Sequence, residues 1–89
     1  MTNAHVVAGV DRPVVELPGG AVREGRVVYY DPVDDLAVIA VRNLDADPLG
    51  IAPTLSAGDR AVVQGYPYGG PFTSGSAGVI SVNTVRVPD

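Results

Sequence analysis

The chain has 89 residues, enough for one domain with a modest core. Ten Asp and Glu oppose six basic residues, all arginine, at positions 12, 23, 26, 42, 60 and 86, for a net charge of −4. The arginines are scattered and form no basic patch along the sequence, which argues against a nucleic-acid partner. There are no cysteines, so disulfides, thiolate catalysis and Cys-ligated metal are excluded, while the compartment stays open. No run approaches the roughly 18 apolar residues of a spanning helix. The N-terminus carries neither a basic region nor an apolar stretch of signal-peptide type.

Residues 1–8 are apolar apart from Thr2, Asn3 and His5, and read as the end of a strand that turns at Ala8-Gly9. Arg12 to Leu17 is a short strand, followed by a turn at Pro18-Gly19-Gly20. Within 21–30 we expect one strand centred on 26–30, with a bend at Gly25. Asp31-Pro32 closes it. Leu36 to Val41 is apolar without alternation, as in a strand buried on both faces or one at a barrel corner. Its β-branched Val38, Ile39 and Val41 favour strand over a short helix. Residues 43–59, with Pro48, Pro53, Gly50, Gly58 and three aspartates, read as a linker. Arg60 to Tyr66 is the next strand, Pro67 to Pro71 a turn cluster, and Ser76 to Val87 a closing strand paired back on 60–66. Many valines among 11 glycines and 8 prolines point to an all-β chain of short strands and tight turns.

His5 is the only histidine, so any histidine-based proton transfer must use it. A hydroxyl nucleophile needs such a base, and the base needs a carboxylate to fix its tautomer. By residue type alone the carboxylate is Asp31, Asp34 or Asp35, and by composition the whole 31–35 run reads more readily as a solvated loop. By the same measure His5 reads as an ordinary polar residue near a strand end. Ser74-Gly75-Ser76-Ala77-Gly78 is not a nucleophile elbow, because serine stands at 74 where Gly-x-Ser-x-Gly needs glycine. Ser74, Ser76 and Ser81 are assigned no chemistry. Tyr66, Tyr68 and Phe72 form an aromatic cluster, but residues 61–85 hold no basic side chain to make it a nucleic-acid platform. A core or subsite-lining role is preferred.

Thr2-Asn3-Ala4-His5-Val6-Val7 and Asp35-Leu36-Ala37-Val38-Ile39 resemble the His and Asp segments of trypsin-like, chymotrypsin-fold serine proteases. The nearest branch is the bacterial one related to the high-temperature-requirement proteases. Gly58-Asp59-Arg60-Ala61-Val62-Val63-Gln64-Gly65-Tyr66-Pro67, Gly70-Pro71-Phe72-Thr73 and Gly78-Val79-Ile80-Ser81 continue the resemblance in collinear order. Gly65-Tyr66-Pro67-x-Gly69-Gly70 is similar to the actinobacterial membrane-anchored periplasmic acid-resistance proteases.

The resemblance implies a partial double β-barrel. Residues 1–42 would be most of a first barrel, 43–59 the inter-barrel linker and 60–89 the opening hairpin of a second barrel. It implies His5 as general base and then acid, Asp35 as its orienting carboxylate, and Asp34 as a solvent-facing neighbour. It also implies a peptide or protein substrate for the full-length parent, no cofactor, no metal, and a periplasmic or cell-envelope setting. The family's Gly-Asp-Ser-Gly-Gly nucleophile segment does not occur, so the expectation is a fragment that is inactive alone and self-associates through exposed strand edges. Two other classes stay open: a non-catalytic interaction module derived from a protease, and an unrelated small β-barrel binder.

Overall fold

The structure, a computed structural model, describes residues 1–52 and 54–84. Its regular elements are five strands and two single-turn 3₁₀ helices: Ala4–Val6, β1 Val14–Glu16, β2 Val22–Asp31, β3 Leu36–Val41, β4 Arg60–Gly65, Pro67–Gly69 and β5 Thr73–Gly78. The chain divides into two compact units, Met1–Pro48 and Leu49–Asp89.

The first unit is an antiparallel sheet in the order β1-β2-β3. β2 is long enough to serve both neighbours. Its residues Val22 to Glu24 pair with β1, and Gly25 to Asp31 pair with β3. The turn between β1 and β2 uses Gly19 and Gly20 at φ 90° and 91°, closed by the Leu17 amide on the Ala21 carbonyl at 2.7 Å. That backbone region costs any residue with a Cβ, which is why two glycines follow Pro18.

Gly25, where a bend is expected, is the position at which β2 passes from pairing with β1 to pairing with β3. It is a point of close approach: a Cβ there would lie 2.5 Å from Ile39 Cγ2 and 3.1 Å from the Pro13 carbonyl oxygen. The irregularity falls instead at Val28, where the pairing steps from Val27–Ile39 to Tyr29–Val38. This bulge sharpens the local twist and gives neighbouring β3 residues, Val38 and Ile39, comparable half-burial. It explains why β3 reads without alternation. Its one fully buried position is nevertheless a small residue, Ala37; the flanking residues are half-buried and Ala40 is exposed.

The His5 segment departs from the expected strand end. Thr2 makes one antiparallel bridge to Ala37, through amide–carbonyl bonds of 2.9 and 2.8 Å, and the chain then leaves the sheet. A 3₁₀ turn over Ala4–Val6 follows, held by Val6 N–H to the Asn3 carbonyl and Val7 N–H to the Ala4 carbonyl. Short i→i+3 turns of this kind are common connectors. The turn buries Ala4 and Val7 beside Ala37, and these three are the buried core of the described residues.

The second unit is a β4–β5 hairpin. Its loop passes through the Pro67–Gly69 turn, with Tyr68 and Gly69 both at positive φ, and Tyr66 and Phe72 pack edge to face at 5.4 Å. The closing strand expected at 76–87 runs from Thr73 to Gly78 instead. β4 has six residues, Arg60–Gly65, and can pair only the six opposite it. Beyond Gly78 the Val79 amide still reaches the Asp59 carbonyl, and residues 80–84 carry no strand. Positions 85–87 of the expected strand lie outside the described residues. Every residue of β5 is exposed, because Thr-Ser-Gly-Ser-Ala-Gly offers no large apolar side chain to bury.

Candidate active site

His5 and Asp35 are 30 positions apart in sequence and in direct contact in space. The ring Nδ1 of His5 lies 2.8 Å from Asp35 Oδ2, and the His5 backbone N–H donates to Asp35 Oδ1 at 2.9 Å. One carboxylate therefore holds the same residue by its main chain and by its ring. Such charge-assisted bonds are stronger and more directional than neutral ones. The Thr2–Ala37 bridge brings the segments together, since Ala37 lies two residues beyond Asp35 at the start of β3.

Asp35 itself sits at φ 55°, in the left-handed region that an aspartate tolerates at a cost. The turn from Asp31 delivers it there. Asp31 Oδ1 accepts from the amides of Val33 and Asp34 at 3.0 and 3.1 Å, which curls the chain back before β3 begins. Asn3 adds a brace that the motif contained but the sequence reasoning gave no role. Its side-chain amide donates to the Asp35 backbone carbonyl at 3.1 Å. The available signal was its place two residues before the only histidine.

The three candidate carboxylates thus separate by geometry. Asp35 contacts the histidine. Asp31 caps the turn and accepts from Tyr29 Oη at 3.2 Å. Asp34 is exposed. Their acidities separate too. The bonds from the His5 backbone and ring hold the Asp35 carboxyl below the ordinary aspartate range, against a smaller opposing effect of desolvation. The backbone amide of Asp34 lowers Asp31 in the same way, while Asp34 is raised by its hydrogen bond to, and repulsion from, Asp31.

An ionised carboxylate only accepts hydrogen bonds. With Asp35 charged, a neutral His5 must carry its proton on Nδ1, where it donates to Oδ2. Nε2 is then the unprotonated nitrogen, and it has no hydrogen-bond partner among the described residues. The His5 side chain is 72% exposed and that of Asp35 43%. The arrangement can accept a proton at Nε2 and stabilise the resulting imidazolium with the carboxylate behind it.

Ser74 and Ser76 lie on β5, where Ser74 Oγ accepts from Gln64 Nε2 at 3.4 Å, and Ser81 lies past the strand end. Tyr66, Tyr68 and Phe72 are exposed at the hairpin loop, so the expected core role does not hold for them within this unit. A β5 of Gly, Ser, Thr and Ala gives them nothing large to pack on. Among the described residues no three His, Cys, Asp or Glu side chains converge as metal ligands.

Residues 1–87 match the trypsin-like peptidase domain family. The serine protease Rv3671c of Mycobacterium tuberculosis is 43% identical over 90 residues, covering all of this chain and 22% of that protein. A putative serine protease of Synechocystis, HhoA, is 41% identical over 73 residues, covering 78% of this chain and 18% of its own length. The mitochondrial serine protease HTRA2 of Bos taurus is 38% identical over 71 residues, covering 76% and 16% respectively. A crystal structure of the Rv3671c protease in an inactive form superposes with a TM-score of 0.68 at 41% identity, over 99% of this chain and 45% of that one. The chain therefore spans about a fifth of the length of these curated relatives. These matches set aside the unrelated small-barrel reading. The all-β chain, which carries the His–Asp contact on a partial chymotrypsin-like fold, belongs to the trypsin-like peptidase domain family.

Proposed function

We propose that this chain supplies the histidine and aspartate of a Ser-His-Asp triad in a serine endopeptidase. His5 takes the nucleophile's proton and returns it to the leaving amine, and Asp35 fixes the ring and steadies its positive form. The observation that carries this reading is the 2.8 Å contact between His5 Nδ1 and Asp35 Oδ2, made by the two segments that resemble the family's. Residues 1–42 serve as part of the first barrel, 43–59 as the crossover and 60–89 as the opening hairpin of the second.

The serine nucleophile and its oxyanion-stabilising amides are not present in the family's setting among these residues. The 89-residue chain alone therefore turns over no substrate. Open strand edges and half-exposed apolar faces at Val14 and Val28 make self-association its expected behaviour. Sedimentation checks this: mixed oligomers are expected, and a compact monomer at high concentration contradicts it.

The direct test is a chimera in which these residues replace the matching stretch of the Mycobacterium tuberculosis protease. It should cleave peptide bonds, and His5→Ala in it should cost about 10⁶-fold in kcat. A chimera that folds and is inactive, or one that His5→Ala leaves unchanged, refutes the assignment. Activated-ester turnover by the 89 residues alone, above a His5→Ala control, would refute the claim that they are inactive by themselves.

A further inference from the structure

The fold gathers charges that the sequence scatters. Arg12, Arg23, Arg26 and Arg42, four of the chain's six basic residues, line one concave surface of about 610 Å³ with Glu24 and Asn43. This corrects the expectation of no basic patch. The signal was present only in the strand register. Arg26 pairs with Ala40, and Arg42 directly follows the last pair of the β2–β3 ladder, Gly25–Val41, so the register brings both arginines to the same end of the sheet. The surface is roughly 17 Å along β3 from Asp35, by the rise of a strand, and it belongs to no part of the histidine–aspartate site.

Only one guanidinium here is neutralised by a carboxylate. Arg12 meets Glu24 at 3.2 Å. Arg23 donates to the carbonyls of Val22 and Asn43, which satisfies its N–H groups but leaves its charge. The side chains of Arg26 and Arg42 are exposed and make no hydrogen bond among the described residues. Like charges gathered around one concave surface repel one another, and a bound anion relieves them. Guanidinium groups match carboxylates in bidentate geometry.

We infer that this surface binds a short acidic peptide segment, rich in Asp or Glu, of a partner protein. Its size and openness suit several carboxylates spread along a chain better than one small enclosed anion. A long polyanion is disfavoured by the rest of the molecule, whose charged side chains are nine carboxylates and two arginines. That net negative charge repels a long polyanion more than a segment of a few residues.

The test is fluorescence anisotropy of labelled hexaglutamate with the 89-residue chain at low salt, and it does not depend on peptidase activity. Saturable binding that weakens with added salt is expected. Arg26→Ala and Arg42→Ala should each weaken it up to about fivefold, and the pair about tenfold or more, while Arg60→Ala on β4 changes it less than twofold. Both substituted side chains are exposed and unbonded, and matching circular dichroism shows that the variants stay folded. No saturable binding, or equal binding by the double variant, overturns the inference. So does tighter binding of an oligothymidylate lost in the same variants, which makes the occupant a nucleic acid. Full displacement by millimolar inorganic phosphate makes it a small-anion site and overturns the inference as well.

Discussion

The two units of this chain contrast in what holds them. In Met1–Pro48, three strands, a single bridge and a 3₁₀ turn converge on buried Ala4, Val7 and Ala37. In Leu49–Asp89, a two-stranded hairpin has no buried residue among those described, and all of β5 is exposed. The hydrogen-bond ladder is unbroken in the hairpin and interrupted by the Val28 bulge in the larger sheet. The difference is apolar surface: a ladder alone does not stabilise a two-stranded hairpin in water, and three strands with one covered face can begin to. The histidine–aspartate contact lies in the unit that can hold a side chain in place.

The largest effect is expected where that unit meets chemistry. Asp35→Asn in the active chimera should lower kcat about 10⁴-fold, because an amide can present its N–H to the ring and favour the wrong tautomer. A loss under tenfold would mean that the contact is only structural, and that the better-ordered unit does not owe its importance to the site.

Gly25→Val sharpens the comparison structurally. Its Cβ meets Ile39 and the Pro13 carbonyl, so about 1–3 kcal/mol of destabilisation is expected from overpacking, with matching loss of amide exchange protection in β2 and β3. Amides of β4 and β5 should be unaffected and should exchange faster than those of β2 and β3 already in the parent chain. Equal protection in the two ladders would break the contrast.

Asn3→Ala removes the bond to the Asp35 carbonyl and should cost about 1 kcal/mol in urea unfolding, while Gln64→Ala on the hairpin should cost almost nothing.

The smallest effects are in pH dependence. Asp35 is more acidic folded than unfolded, so its pairing stabilises the chain fully above the ordinary aspartate pKa and is lost as pH falls below that value and through the lower folded one. The urea midpoint of the parent should exceed that of Asp35→Asn at neutral pH, and the gap should close in acid. Asp34 has the opposite sign. Its raised pKa means that its ionised form opposes folding, so Asp34→Asn should be the more stable at neutral pH and lose that advantage in acid.

Much of this was legible in the residues. Strands at Val14–Glu16, Leu36–Val41 and Arg60–Gly65 follow from valine-rich runs bounded by Gly, Pro and Asp. The motifs that carry the family resemblance contain both residues of the His5–Asp35 contact. The misses have one cause, which is that they depend on partners distant in sequence. Thr2 pairs with Ala37 alone, so His5 sits in a turn and not at a strand end. The extra residue at Val28 is visible only against β3, and the end of β5 is set by the length of β4. The arginine surface required the β2–β3 register, and Asn3 could be given its role only once Asp35 was known to approach it.

The central claim is that Asp35 fixes His5 with its proton on Nδ1 and leaves Nε2 free. Long-range nitrogen–proton NMR of the His5 ring tests it directly. In the neutral ring Nδ1 should be protonated and Nε2 unprotonated, with that preference lost in Asp35→Ala. A neutral ring protonated on Nε2, or a tautomer indifferent to Asp35→Ala, would contradict it.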